Sequence, residues 1–132
     1  VASSESLGAE MMDNWDFADG TIDPWSATDA IVTNDSFRLK IEQTAANGRA
    51  YTSIDSGLTE DAPHRISLDV EIGTADTVKV YTVQGGFETA ITEDGYYEFD
   101  VVLRNYNSIR IYAGGANGQY AHVDNFSVKE IL

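Results

Sequence analysis

Five tyrosines, Tyr51, Tyr81, Tyr96, Tyr112 and Tyr120, fall where short alternating runs turn them outward. On the water-facing side of a sheet, a row of such rings would form a platform on which the apolar faces of sugar rings stack. Polar neighbours would then bond the sugar hydroxyls. The neighbours at hand are Arg49, Gln84, Asn105 and Arg110. The same rings serve equally well as cross-strand pairs that stabilise a sheet and bind nothing. Trp15, Phe17 and Trp25 flank a turn-rich entry and read as plugs for the open end of a core, with Trp25 also a candidate contact. The candidate ligand contacts are therefore Trp25, Arg49, Tyr51, Tyr81, Gln84 and Tyr112.

Catalysis finds less support. The chain has no cysteine, which removes thiolate metal sites, disulfides and a Cys nucleophile together. His64 follows Pro63 in what reads as a polar turn, and His122 sits in a strand facing outward; neither belongs to a zinc-binding or Ser-hydrolase motif. Carboxylates are so abundant that any pair chosen as a glycosidase dyad is uninformative. A non-catalytic domain is the expectation.

Lys and Arg number 8 and Asp and Glu 22 among 132 residues, so the formal charge is 8 − 22 = −14. Nucleic acid and anionic membranes are disfavoured as partners, because both require a basic face. By the same reasoning, a glycan ligand is expected to be neutral rather than sulfated or uronate-rich. The acids suit either a solvated surface or a site for a hard cation such as Ca²⁺, which takes about six to eight oxygen ligands.

The elements that must position these residues are strands. Phe37, Leu39 and Ile41 alternate with cations and an acid; Ile66, Leu68, Val70 and Ile72 alternate with polar residues without an error. Further alternation marks 49–54, 78–81, 87–92, 97–103, 109–112 and 120–130. Asn47-Gly48, Gly85-Gly86, Asp94-Gly95, Gly114-Gly115 and Asn117-Gly118 punctuate them as turns. In the last run Ala121 and Val123 share one parity while Phe126 and Val128 share the other, which predicts a β-bulge at Asp124–Asn125. Ala27–Thr33 and Leu58–Ala62 read at most as single helical turns. Residues 1–10 read as a tether or a late-starting first strand, without a basic-then-apolar leader. The whole, 1–132, is expected to be one all-β domain, an antiparallel β-sandwich of about eight or nine strands. No run reaches the ~20 apolar residues of a membrane helix.

Two short motifs carry a resemblance. The opening Asn14-Trp15-Asp16-Phe17-Ala18-Asp19-Gly20 with Trp25, and the closing Tyr120-Ala121-His122-Val123-Asp124-Asn125-Phe126-Ser127-Val128-Lys129, resemble the ends of carbohydrate-binding modules of the four/nine type. The resemblance implies a jelly-roll sandwich that holds a poly- or oligosaccharide in an extracellular setting. Similar modules also occur in phage tail and appendage proteins. It implies a structural Ca²⁺ near Asp124, with Asp16 or Asp19 replacing the usual Glu, whose position here is Ala18. The alternative is a structural or interaction domain of a virion or surface layer, whose tyrosines meet neighbouring proteins instead of sugar.

Overall fold

The period-two runs become ten strands in a computed structural model that describes residues 6–54, 59–83, 86–104 and 107–132. In chain order they are β1 (Ser26–Thr28), β2 (Ala30–Asn34), β3 (Leu39–Gln43), β4 (Arg49–Ile54), β5 (Ala62–Glu71), β6 (Thr77–Thr82), β7 (Glu88–Ile91), β8 (Gly95–Leu103), β9 (Asn107–Gly114) and β10 (Tyr120–Glu130). They form two five-stranded sheets, ordered β1-β4-β9-β6-β7 and β2-β3-β10-β5-β8, and every pairing is antiparallel. This is a jelly-roll β-sandwich. Gln84, Asn105, the Gly85 half of its turn and Leu58 lie outside the described residues.

Alternation decides which side chains meet between the sheets. Ala50, Ile109, Ile111, Val78 and Val80 from one sheet, and Leu39, Ile41, Ile66, Leu68, Val123 and Val128 from the other, are all fully buried. Burial of each larger apolar side chain contributes about 1.5–3 kcal/mol, so this shared core is what holds the sheets face to face.

The bulge is where the parity change puts it. Asp124 pairs with Asp69 but Ser127 pairs with Ser67, so β10 spends one more residue than β5 over this stretch. Asn125 takes φ +49°, a left-handed conformation that Asn tolerates better than most residues. The extra residue turns Phe126 inward, where it is fully buried.

Three local readings are corrected. Ala27–Thr33 is not a helical turn; it supplies most of β1 and β2, which pair with β4 and β3. Its apolar residues lack a 3.6-residue repeat, and neighbouring strands satisfy its backbone instead. His64 is not in a polar turn: it lies in β5 at the parity of Ile66 and is 0% exposed. Its Nδ1 lies 2.7 Å from the Ala62 carbonyl. His122 faces away from Val123 yet is buried, with Nε2 2.8 Å from Asp35 Oδ2.

The segment before β1 lies along β10. Leu7 bridges Ile131, and Gly8 N donates to Glu130 O at 2.8 Å. The Glu10 carboxylate accepts from Met11 N (3.1 Å), Met12 N (3.2 Å) and Val128 N (2.8 Å), and from Ser127 Oγ.

Candidate ligand-binding face

The outer face of the β1-β4-β9-β6-β7 sheet collects most of the expected contacts. Strand register places them in cross-strand rows. One row runs Thr28, Arg49, Tyr112, Lys79, Ala90; the next runs Ser26, Tyr51, Arg110, Tyr81, Glu88. The inward partners of these positions are the core residues Ala50, Ile111, Val78 and Val80, so the alternation that buries the core also turns these side chains outward.

Across the rows lies an open groove of about 740 Å³, within the roughly 300–1,000 Å³ usual for small-ligand sites. Arg49, Lys79, Tyr81, Glu88, Arg110 and Tyr112 line its length, and Gly114, Gly115, Gln43 and Asn47 close one end. Thr77 packs tightly against Gly114 at that end: a Cβ on Gly114 would stand 2.4 Å from Thr77 Oγ1, its row neighbour. Gln43 braces the end from behind, its Nε2 donating to Gly115 O at 2.8 Å.

Tyr112 is the centre of the arrangement. The Arg49 guanidinium carbon and Lys79 Nζ each lie 5.9 Å from its ring centroid, one from each flanking strand. These separations are inside the range of cation–π attraction. Arg110 Nη1 donates to the Tyr112 hydroxyl at 3.4 Å. Lys79 Nζ also reaches Glu88 Oε1 at 3.4 Å. Arg49 Nη1 donates to Asn47 O at 3.1 Å, while its buried Nε finds no hydrogen-bond partner among the described residues.

Of the expected contacts, Arg49, Tyr81 and Tyr112 line the groove. Tyr51 shares the face beside Arg110 but does not line the groove itself. Trp25 is corrected: it is 4% exposed and meets Phe126 edge-on at 5.1 Å, so it fills the core and offers no ring to a ligand. Tyr96 and Tyr120 belong to the other sheet. Tyr96 donates to Glu98 Oε1 at 2.8 Å, and Lys40 Nζ sits 4.6 Å from the Tyr120 ring centroid. Lys79 and Glu88 were not singled out from sequence. Lys79 shares parity with Tyr81, two residues on, so whatever turns Tyr81 outward turns Lys79 outward as well.

The three carboxylates expected around calcium do not share one shell. Asp19 Oδ1 accepts from Thr21 N and Oγ1, both at 2.8 Å. Backbone carbonyls of the same turn are taken by amides: Asn34 Nδ2 donates to Phe17 O and Thr21 O at 2.9 Å, and Asn14 Nδ2 to Asp23 O at 2.9 Å. Asp124 does stand near Asp69 and Asp16. Burial raises its carboxyl pKa above the ordinary value, opposed by the Asn125 N–H; the two neighbouring carboxylates raise it further, and Arg38 lowers it. Among the described residues, no three His, Asp or Glu side chains converge closely enough to hold an ion. The turn's carbonyls and Asp19 are thus already engaged by protein N–H and O–H groups and are not set for calcium.

No protein-family model matches the sequence, and no curated protein matches it. Solved structures do match the fold. A CBM4 carbohydrate-binding module superposes with TM-score 0.66 at 14% identity, covering 89% of this chain and 98% of its own. TmCBM61, solved in complex with β-1,4-galactotriose, gives TM-score 0.65 at 12% identity over 92% and 98%. The Stig cyclase Fisc from Fischerella sp. TAU gives 0.71 at 9% identity over 95% and 98%. The jelly roll seen here is thus that of carbohydrate-binding modules, a fold also used by at least one cyclase.

Proposed function

We propose that this domain binds a poly- or oligosaccharide in the groove of the β1-β4-β9-β6-β7 sheet, without cleaving it, as an extracellular module. The observation that carries this reading is the pair of outward tyrosines, Tyr81 and Tyr112, in adjacent cross-strand rows along an open groove. Their rings offer apolar faces for sugar stacking, and Arg49, Arg110, Lys79 and Asn47 supply donors for hydroxyls. Hydrolysis is disfavoured by the lining. Glu88 is the one carboxylate among the described groove residues and it engages Lys79, whereas glycoside cleavage uses two carboxyl groups about 5–9.5 Å apart. The likeness to modules whose structures hold or bind sugars supports the same reading.

The test is affinity electrophoresis against a panel of neutral and acidic polysaccharides, with Tyr81→Ala, Tyr112→Ala and Tyr96→Ala. Retardation by at least one polymer is expected. It should weaken about two- to tenfold in each groove variant, the range for loss of an aromatic contact, and be unchanged in Tyr96→Ala. Retardation by no polymer would favour the structural or interaction reading, in which this face meets a neighbouring protein.

A further inference from the structure

The groove's charge is opposite in sign to that of the chain. Among the described residues, three cations, Arg49, Lys79 and Arg110, line it against one carboxylate, Glu88, in a protein with 8 cations and 22 acids. Elsewhere the arginines are neutralised at short range: Arg38 meets Glu71 at 2.7 Å, Arg65 meets Asp100 at 2.8 Å, and Arg104 meets Asp61 at 2.9 Å. In the groove, neither Arg49 nor Arg110 has a carboxylate within 4.0 Å among the described residues, and only Lys79 is paired. Both guanidiniums are held instead by the strand register around Tyr112, one beside its ring and one at its hydroxyl. Among the described residues, each retains donors that no other group uses, and the buried Arg49 Nε has no partner.

Concentrating unpaired cations costs electrostatic energy unless an anion relieves it. A neutral sugar needs donors and acceptors in mixture, and Asn, Gln or Ser would serve it as well. A planar guanidinium is suited to grip a carboxylate or sulfate with paired N–H bonds. We infer that the groove selects an acidic glycan, a sugar chain bearing carboxylate or sulfate groups, with one ring on Tyr112 and its anion held between Arg49 and Arg110. This rests on the groove being the sugar site. Net charge is a poor guide here because, at physiological salt, charges beyond about 8 Å are screened, leaving the anion to sense mainly its immediate neighbours.

The experiment compares matched polymers by isothermal titration calorimetry on the whole chain. Polygalacturonate is set against its carboxyl-reduced form, and a sulfated galactan against its desulfated form. Arg49→Gln and Arg110→Gln are measured alongside, with thermal unfolding to verify the fold. The expected result is that at least one acidic polymer binds about tenfold more tightly than its neutral twin, the contribution of a charge-assisted hydrogen bond. Each Arg→Gln change should erase that preference, weakening acidic binding far more than neutral binding, and added NaCl should weaken only acidic binding. Which acidic polymer responds identifies the anion as uronate or sulfate ester. Equal or tighter binding of the neutral twins overturns the inference and leaves the sugar-binding reading standing. Preference for acidic polymer that survives both Arg→Gln changes overturns the assignment to this groove. Absence of binding by all four polymers overturns the inference, and with the wider panel also silent it removes the sugar-binding reading too.

Discussion

The indole of Trp25 meets the ring of Phe126 edge-on, with centroids 5.1 Å apart and planes at 89°. Phe126 reaches that position because β10 carries one extra residue against β5 between Asp124 and Ser127. The backbone holds the same place: Phe126 N donates to the carbonyl of Trp15 at 3.0 Å. The turn-rich opening and the bulge of the last strand, whose residues carry the resemblance to carbohydrate-binding modules, are thereby one packed unit. The contact is part of the core, remote in kind from the wet tyrosines of the groove.

Trp25→Ala should therefore be a stability variant. Removing so large a buried ring costs about 3–5 kcal/mol. Chemical denaturation should show the midpoint fall, while sugar binding per folded molecule stays at the wild-type value. A selective loss of binding at unchanged stability would contradict the core role.

Asp124 gives a prediction with a sign. Its carboxyl pKa is raised above the ordinary 3.8, so across the window from that value to the raised one the folded state holds more protons than the unfolded. Stability contributed by this group is therefore lost as pH climbs through the window, and above it the ionised form is a net cost. Asp124→Asn should raise the melting temperature at pH 7 and change it little at pH 3. The Asn side chain can still accept the Asn125 N–H that now bonds Oδ1 at 2.8 Å. Melting curves with added Ca²⁺ and with chelator should coincide. A calcium-dependent rise in wild type that Asp124→Asn abolishes would instead make Asp124 a ligand.

Glu10 ties the leading segment to the far side of the bulge. Its carboxylate satisfies the N–H groups of Met11, Met12 and Val128 and the hydroxyl of Ser127. Val128 and Ser127 are both buried, so water cannot readily replace the lost acceptor. Glu10→Ala should cost about 1–3 kcal/mol. Hydrogen exchange should show faster exchange at the Val128 amide, with the groove strands β6 and β9 unchanged.

How much of this was legible depends on the range over which each feature is set. The burial of Ile66, Leu68 and Val70, and the shift of parity that produces the bulge, are properties of adjacent residues. Period two alone exposes them. The same rule turned all five tyrosines off the core side without saying which sheet each would join, and two of them landed on the sheet opposite the groove. Pro63 beside His64 suggests a turn, yet Pro63 is the second residue of a strand that the alternation runs straight through. Trp25 was ambiguous for a different reason: an aromatic beside a turn serves a rim or a core equally well until its partner is known.

Local composition by itself determined that this chain would be strands and turns, which side of each strand would be dry, and where one strand must bulge. These follow from the geometry of neighbouring residues in an extended backbone. Tertiary structure alone decided that Arg49, Tyr112 and Lys79, drawn from three separate strands, would stand in one row. It also decided that an acidic protein would carry a basic groove. Hydrogen-bonded pairing between distant strands sets both, and pairing order is not written in the alternation of any single strand.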